Sequence, residues 1–507
     1  MHRLGTTGIG IGVGIAVAVL GSACRNASED CHLLVTCGYG SEGAGGGGGE
    51  TPRTCIPSEN GEAVGNECGV FVDPNAPGGG MGTKESPLGT MGEAVARMGA
   101  DRNRIYACAA EFGEEVRLPG GTELYGGLEC TRGWGYVGES RKTRLRGPGG
   151  GKVALRLEAG RGTKVRDVEA VAWDAQGAGE SSIAVIAEEV EGEIRGCAFE
   201  AGMGRDGEAG DGYATGAQPG ETGLDGNEAC TANSIIGADA VSSRCGGEDS
   251  TSGPGGNGFA GSGGDGTSGA PLGSMNGGVG AIGEAGCSAG TKGEDGAPGV
   301  VGAGATEAGT LAKTGYEGAA GRDGQRGGPG QGGGGGGGAK GGSGALLCPG
   351  ATTGGAAGGS GGSGGCGGAG GRGGRAGGSS IALLSVDSRL VFAGVTLRAG
   401  GGGKGGDGGA GQNGGAGGFP GAGGGVPAGA TDLKPGCSGG PGGQGGTGGQ
   451  GGGGRGGHSA GIAYRGEGVP STEGVTFVTG TAGEGGMGGD AGGHGAPGVA
   501  KDVQEFE

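Results

Sequence analysis

Short runs of alternating apolar and polar residues recur along this chain, separated by long stretches with almost no large side chains. Three segments share one pattern. Residues 181–186 (SSIAVI) lead to 196–202 (GCAFEAG), residues 379–384 (SSIALL) lead to 394–400 (GVTLRAG), and residues 458–463 (HSAGIA) lead to 474–480 (GVTFVTG) with one extra residue. A looser copy runs from Val153 to Val168. In the second run of each copy, Cys197 and Phe199, Val395 and Leu397, and Val475 and Phe477 share one face. Ala198 and Glu200, Thr396 and Arg398, and Thr476 and Val478 share the other. A period of two with β-branched residues predicts strands. Recurrence at one internal length predicts stacked copies, because a single copy cannot bury its apolar face alone. Hairpins of a β-sandwich are the alternative.

The N-terminal part of this pattern has a distinctive opening. Residues 69–75 (GVFVDPN) and 82–90 (GTKESPLGT) precede a helical stretch over 91–98, and strand-like runs follow at 104–108, 115–118 and 122–128. This opening resembles the first turns of right-handed parallel β-helix proteins of the pectate-lyase-like class. The resemblance implies an all-β solenoid whose short helix caps the open end and shields edge strands from other chains. The overall layout also resembles Gly-rich secreted lipoproteins of myxobacterial type, labelled PE-PGRS-like for their tract composition. No Pro-Glu domain is present at the N-terminus of this chain.

Composition explains the gaps between the strand runs. Glycine supplies 158 of 507 residues, the apolar fraction is 32 % and aromatics are 3 %, so much of the chain cannot build an ordinary core. Each copy ends in glycine and a Gly-rich tract follows at once, which predicts that every tract leaves the solenoid at the same edge. Some tracts have a period of three: Ser438, Pro441, Gln444, Thr447 and Gln450 each precede a Gly-Gly pair, and glycine recurs every third residue from 315 to 336. A left-handed helix with three residues per turn places such glycines along one edge. Packed polyglycine-II-type helices and a solvated, disordered Gly-rich loop both fit. Collagen fits poorly, with 19 prolines in the whole chain and frequent slips of register. The expected organisation is a signal peptide (1–23), a Cys-containing Gly-rich linker (24–65), N-terminal β-helix coils (66–202), a Gly-rich insertion (203–378), a rung (379–400), an insertion (401–457), a rung (458–480) and a Gly-rich acidic tail (481–507).

The net charge of −18 argues against nucleic acid as a partner, since phosphate binding needs Lys and Arg patches. At the N-terminus, His2 and Arg3 precede an apolar run over 9–20. It is shorter than the roughly 20 residues a membrane span needs and fits the apolar region of an export signal. Gly21, Ser22, Ala23 and Cys24 resemble a bacterial lipobox, with Gly21 where that family usually carries leucine. The resemblance implies lipid attachment at Cys24. Fourteen cysteines agree with an oxidising compartment. Close spacing suggests the pairs Cys31–Cys37, Cys55–Cys68 and Cys230–Cys245, and Cys108 with Cys130 suits neighbouring coils.

Candidate chemistry is sparse. A Gly-x-Gly-x-Asp pattern ends at Asp206, Asp265, Asp407 and Asp490. Calcium β-roll repeats place an apolar residue two positions later, where this chain has Glu208, Thr267, Gly409 and Gly492. With no CxxC motif and few histidines, a zinc site is not expected. His458 reads as a turn residue rather than a base. Polysaccharide lyases and hydrolases need clustered carboxylates or a carboxylate–metal–basic set on one sheet face. Glu200, Asp167, Arg166 and Arg398 are the outward candidates and are scattered in sequence. No catalytic residue, metal site or cofactor is assigned. The expectation is an exported, cell-surface or outer-membrane protein, lipid-anchored or secreted. It acts as a non-catalytic scaffold or adhesin that displays Gly tracts to a surface glycan or matrix partner. The alternatives are a carbohydrate-active β-helix enzyme and a calcium- or ice-binding repeat protein.

Overall fold

The computed structural model describes residues 54–60, 62–99, 102–149, 152–466 and 470–507. They form one compact unit, Thr54–Glu507, built largely from three parallel sheets. The first sheet orders its strands Val70–Val72, Arg104–Cys108, Glu123–Glu129, Gly160–Arg166, Val190–Arg195 and Arg389–Ala393. The second orders Glu111–Phe112, Thr143–Arg146, Val168–Val171, Ala198–Ala201, Val395–Ala399 and Val475–Val478. The third orders Val116–Leu118, Leu155–Leu157, Ser182–Glu188, Ser380–Val386, Ser459–Arg465 and Ala500–Glu505. A short strand, Gly135–Tyr136, adds antiparallel to Glu123–Glu129. The chain visits the first, second and third sheets in rotation.

Pairing follows the sequence copies. Ser182 lies beside Ser380, which lies beside Ser459. Phe199 pairs with Leu397, and Leu397 with Phe477. Each sheet sends one apolar column inward: Ile105, Leu124, Val165, Ile194 and Phe392 from the first, Phe112, Leu145, Ala170, Phe199 and Leu397 from the second, and Leu155, Val185, Leu383 and Ile462 from the third. All of these are buried. The alternating faces read from the second run hold here, with Phe199 and Leu397 buried and Glu200 and Arg398 exposed. Burial of such side chains is the main stabilising term, roughly 1.5–3 kcal/mol each.

The helix Met91–Arg97 closes the N-terminal end. Thr90 caps it through a reciprocal capping box with Glu93, and Met91 and Ala94 pack fully buried against the first strands. Upstream, part of the expected linker is ordered. Residues 54–68 cover an outward aromatic ladder of Phe71, Tyr106 and Tyr125, whose rings stack at 5.0 and 5.5 Å. Tyr106 Oη donates to the Cys55 carbonyl at 2.7 Å. The expected acidic tail also departs from its reading, because Ala500–Glu505 completes the third sheet.

Residues 130–142 bulge out between the first and second sheets early on, but from Gly160 to Ala399 two of the three corners are tight. Between the first and second sheets, Asp167, Gly196 and Gly394 turn the chain with φ of 56°, 63° and 62°. Between the third and first, Glu189 and Asp387 do so with φ of 49° and 50°. Left-handed single residues reverse the chain in one step. The long Gly-rich tracts use the remaining corner, from second to third sheet. All three tracts leave there: 203–378 between Ala198–Ala201 and Ser380–Val386, 401–457 between Val395–Ala399 and Ser459–Arg465, and 481–499 between Val475–Val478 and Ala500–Glu505.

Candidate functional site

The tracts are not solvated loops. They run side by side as a bundle of extended segments, tied by lateral backbone hydrogen bonds every third residue. The central segment, 353–378, shows the rule most fully. Ala357, Ser360, Ser363 and Cys366 donate their amides to Asn227, Leu224, Glu221 and Gln218 of an antiparallel segment. Gly359, Gly362 and Gly365 donate to Cys437, Gly440 and Gly443 of a parallel one. Gly358 and Gly361 donate to Gly256 and Gly253, and Gly364 donates to Ser250 Oγ. Successive amides therefore turn through three partners, as a helix with three residues per turn requires. No amide from 357 to 366 is left unpaired, which is what buried backbone demands.

The same geometry dictates the Gly-Gly-x triplets. A Cβ on Gly358, Gly361 or Gly364 would lie 1.9 Å from the carbonyl oxygen of Gly336, Gly333 or Gly330. On Gly359, Gly362 or Gly365 it would lie 2.0–2.4 Å from carbonyl oxygens of 415–422. Only the third position tolerates a side chain, and it holds Ala357, Ser360, Ser363 and Cys366. Ser360 and Ser363 use their hydroxyls to accept the amides of Leu224 and Glu221 at 2.8 and 2.7 Å.

At the bundle surface, amides that face no neighbouring segment are met by side chains. Four aspartates followed by glycine grip one residue of a parallel neighbour by both its amide and its carbonyl. Asp206 Oδ1 accepts the Lys404 amide at 2.7 Å while Gly207 donates to the Lys404 carbonyl at 2.8 Å. Asp225 and Gly226 hold Ala422, Asp295 and Gly296 hold Gln444, and Asp407 and Gly408 hold Met487 in the same way. Between antiparallel segments the grip spans two residues: Asp265 accepts from Gly280 while Gly266 donates to Gly278, and Asp323 accepts from Gly373 while Gly324 donates to Gly371. The Gly-x-Gly-x-Asp signal thus marks backbone clamps at Asp206, Asp265 and Asp407, and at Asp490 a cap on Gly493 at 2.8 Å. The Asp323 carboxyl is held below its ordinary value by the Gly373 amide and then by Arg372, and that of Asp407 by the Met487 amide and then by Lys404.

The bundle runs from the sheet corner to a far end formed by the turns near 230–236, 282–288, 342–352 and 427–435. From 401 to 425 this is about 75 Å at the rise of a three-residue extended helix. Two disulfides tie that end, Cys230–Cys348 and Cys287–Cys437, and a third, Cys245–Cys366, pins an outer segment to the central one. The expected Cys230–Cys245 pair is therefore corrected. Its two cysteines lie on different segments and each meets a partner more than 100 residues away, because lateral packing rather than local spacing brings the sulfurs together. Cys55–Cys68 and Cys108–Cys130 are bonded on the sheet part. A cavity of about 550 Å³ opens at the tip beside Cys287, with Leu347 and Leu433 at its base and Lys340, Lys434, Glu284 and Asp432 around it.

The sheet faces offer less. Glu200 and Arg398 are ladder neighbours on the second sheet and both are exposed. Asp167 sits at the corner before the neighbouring strand Val168–Val171, four residues ahead of the position paired with Glu200, with its carboxyl raised by burial. Arg166 lies on the first sheet, buried over the Tyr125 ring and flanked by Glu59 and Glu193 at 3.4 Å. The four candidates are not brought together. Sequence reasoning missed Glu123, which Arg104, Lys164 and Tyr125 contact at 2.7, 2.9 and 2.7 Å. Burial alone would raise its carboxyl, but these three partners prevail and hold it at about 2. A carboxylate so fully engaged is suited to bracing the sheet rather than to moving protons. Asp73, Cys108 and Cys130 lie close together, but both sulfurs are spent in a disulfide. Cys197 is the one free thiol among the described residues, buried and pushed up to about 12. His458 is buried where the second tract re-enters the third sheet. It packs edge-on against Tyr316 and Phe506, its Nδ1 accepts the Val499 amide at 3.1 Å, and its Nε2 lies 2.9 Å from the Ala308 carbonyl. Cys24, Cys31 and Cys37 fall outside the described residues.

Comparison with known protein families, with curated proteins and with solved structures finds no match for this chain.

Proposed function

We propose that this protein is an exported, cell-surface scaffold of adhesin type. In this reading the three rotating parallel sheets are the coils of a right-handed parallel β-helix, with handedness following the crossover rule for parallel strands. The Gly tracts form a polyglycine-II bundle that the solenoid holds out from one corner. The observation that carries the reading is the construction of the bundle. It presents a disulfide-tied tip with a mixed-charge cavity at the end of a stalk whose interior is nearly free of side chains. Five disulfides among the described residues support an oxidising, extracellular setting. A lipid on Cys24 would hold the protein at the cell surface, and the partner would be a surface glycan or matrix component. No cofactor is needed for such a role.

The test compares binding with turnover. Purified protein is offered arrayed acidic and neutral polysaccharides, and both retained protein and soluble product are measured. The scaffold reading expects retention without product, and loss of retention when Lys340 and Lys434 are changed to alanine. Soluble product that vanishes on neutralising Glu200 or Glu123 would overturn it in favour of the carbohydrate-active alternative.

A further inference from the structure

The clamps described above have a chemical consequence. An Asp-Gly or Asn-Gly step is the sequence most prone to succinimide formation, because glycine leaves its own amide free to attack the preceding side chain. At aspartate, the Gly nitrogen bonds to Cγ and water leaves. At asparagine, ammonia leaves. Water then reopens the ring to aspartate or isoaspartate. A pair held by its neighbours resists this, since the carboxylate is occupied and the attacking amide is already donating. That is the state of Asp206, Asp225, Asp265, Asp295, Asp323 and Asp407, each with its glycine amide bonded to the adjoining segment. Asn257 and Asn276 are restrained through their side chains, by the Gly237 amide and by the Gly269 amide with the Gly332 carbonyl.

Two pairs within the described tracts escape. The ladder between 203–229 and 401–426 runs regularly to Gly210 donating to Asp407, then resumes only at Ala217 donating to Asn413. The register slips across this gap. Asp211 and Gly212 lie inside it, exposed, and neither the Asp211 carboxylate nor the Gly212 amide makes a hydrogen bond. Asn413, which accepts the first bond after the gap, has an exposed side chain without a hydrogen bond, and the Gly414 amide has none either. Asp211 and Gly212 lie within the slip and Asn413 at its edge, while the Gly414 amide, on the row by which Gly402, Gly405 and Gly408 reach Thr481, Glu484 and Met487, lies past the last bond to that neighbour.

We propose that this slip is the site of spontaneous modification in the folded protein: Asn413 deamidates and Asp211 isomerises through succinimides, while the clamped pairs are spared. Deamidation adds a negative charge beside the gap, and isoaspartate adds a main-chain carbon next to the bonds that Ala217, Gln412 and Gly415 make with the neighbouring segments. The test incubates intact, oxidised protein in heavy-oxygen water at neutral pH and maps isotope uptake and isoaspartate by peptide mass spectrometry. A reduced, denatured sample runs in parallel. In the folded protein, uptake at 413 and 211 should exceed uptake at every clamped pair by roughly tenfold or more, the factor expected from two retained hydrogen bonds. In the denatured sample all pairs should react, asparagine ahead of aspartate. Asn413→Gln should remove the leading signal and leave that at Asp211. Equal uptake at Asp225 or Asp295 in the folded protein, or none at 413, would overturn the proposal.

Discussion

Replacing Gly361 by alanine tests whether lateral packing of backbones carries the bundle. The new Cβ would sit 1.9 Å from the Gly333 carbonyl oxygen and 2.4 Å from its carbon. Both are backbone, so no side chain can swing aside. Reaching the 3.4 Å of an ordinary contact means separating the two segments locally by about 1.5 Å. The bond from the Gly333 amide to the Gly362 carbonyl is 2.8 Å, and that from the Gly253 amide to the Gly333 carbonyl is 2.9 Å. Stretched that far, neither remains a hydrogen bond. Two buried pairs left unmatched cost about 2–6 kcal/mol. Alanine recovers about 0.4–1 kcal/mol by restricting the unfolded chain. The net loss is about 1–5.6 kcal/mol, which at about 1.4 kcal/mol per tenfold favours local opening by at least about fivefold. Hydrogen exchange by mass spectrometry over 357–366 reads this directly. The control is Gly425→Ala, at the end of a tract, where an added Cβ meets nothing within 4 Å. It should leave exchange unchanged or slightly slower. Unaltered protection in Gly361→Ala, or equal loosening in both variants, would refute the packing argument.

Ser363→Ala removes the hydroxyl that accepts the Glu221 amide at 2.7 Å and meets Ser243 Oγ at 2.6 Å, and should cost about 1–3 kcal/mol, seen as faster exchange around 221 and 243. Acid should loosen the clamps. The carboxyls of Asp323 and Asp407 are lowered in the fold, so their contribution is complete above the ordinary 3.8 and is lost as pH falls through their lower folded values; Asp407→Asn should flatten the acid limb of a melting-temperature profile. His458 is lowered from 6.5 by burial, so the unfolded chain binds the extra proton first, and stability is present above 6.5 and declines as pH falls below it. Melting followed from about pH 8 to about pH 5 should show this step in the native protein and not in His458→Gln. Replacing both Cys245 and Cys366 by alanine opens a link that, with Cys230–Cys348 intact, closes a loop of about 33 residues, and should cost about 3.5–4 kcal/mol by chain entropy, measured by urea unfolding.

What was legible in the sequence follows the range of the interactions. The strand copies could be aligned because each carries its own apolar column, and Ser182, Ser380 and Ser459 fall in register as their sequences do. The exit of every tract at one edge was legible for the same reason. Ala500–Glu505 was not, because a last strand packed on one side reads AKDVQE, with charge where alternation should show. Period three was visible in the tracts, yet packing and disorder could not be separated. The deciding groups are amides and carbonyls, which every residue carries, and their partners for 357–366 come from 218–227, 250–256 and 437–443. The same lateral order explains the error at Cys230 and Cys245. It also turns an apparent calcium signature into a clamp, since a carboxylate facing a spare amide needs the same Asp-Gly geometry whether or not an ion is present.

The position of the tracts and the shape of the bundle have one cause. Left-handed corner residues such as Asp167, Glu189 and Asp387 keep two turns of each circuit at minimal length, because each must stack on the next in register. In these circuits the chain grows between the second and third sheets. Segments inserted at one corner in successive circuits emerge beside one another, spaced by the stacked strands. Neighbouring strands stand about 4.8 Å apart, a separation at which backbones with glycine at two positions in three can hydrogen-bond directly. The stacked parallel sheets therefore set the starting register of the bundle, and side chains are free to vary only on its surface and tip. On the proposed scaffold reading, a change of target would come from the tip turns, with the central Gly-Gly-x segment held fixed by the carbonyls that surround it.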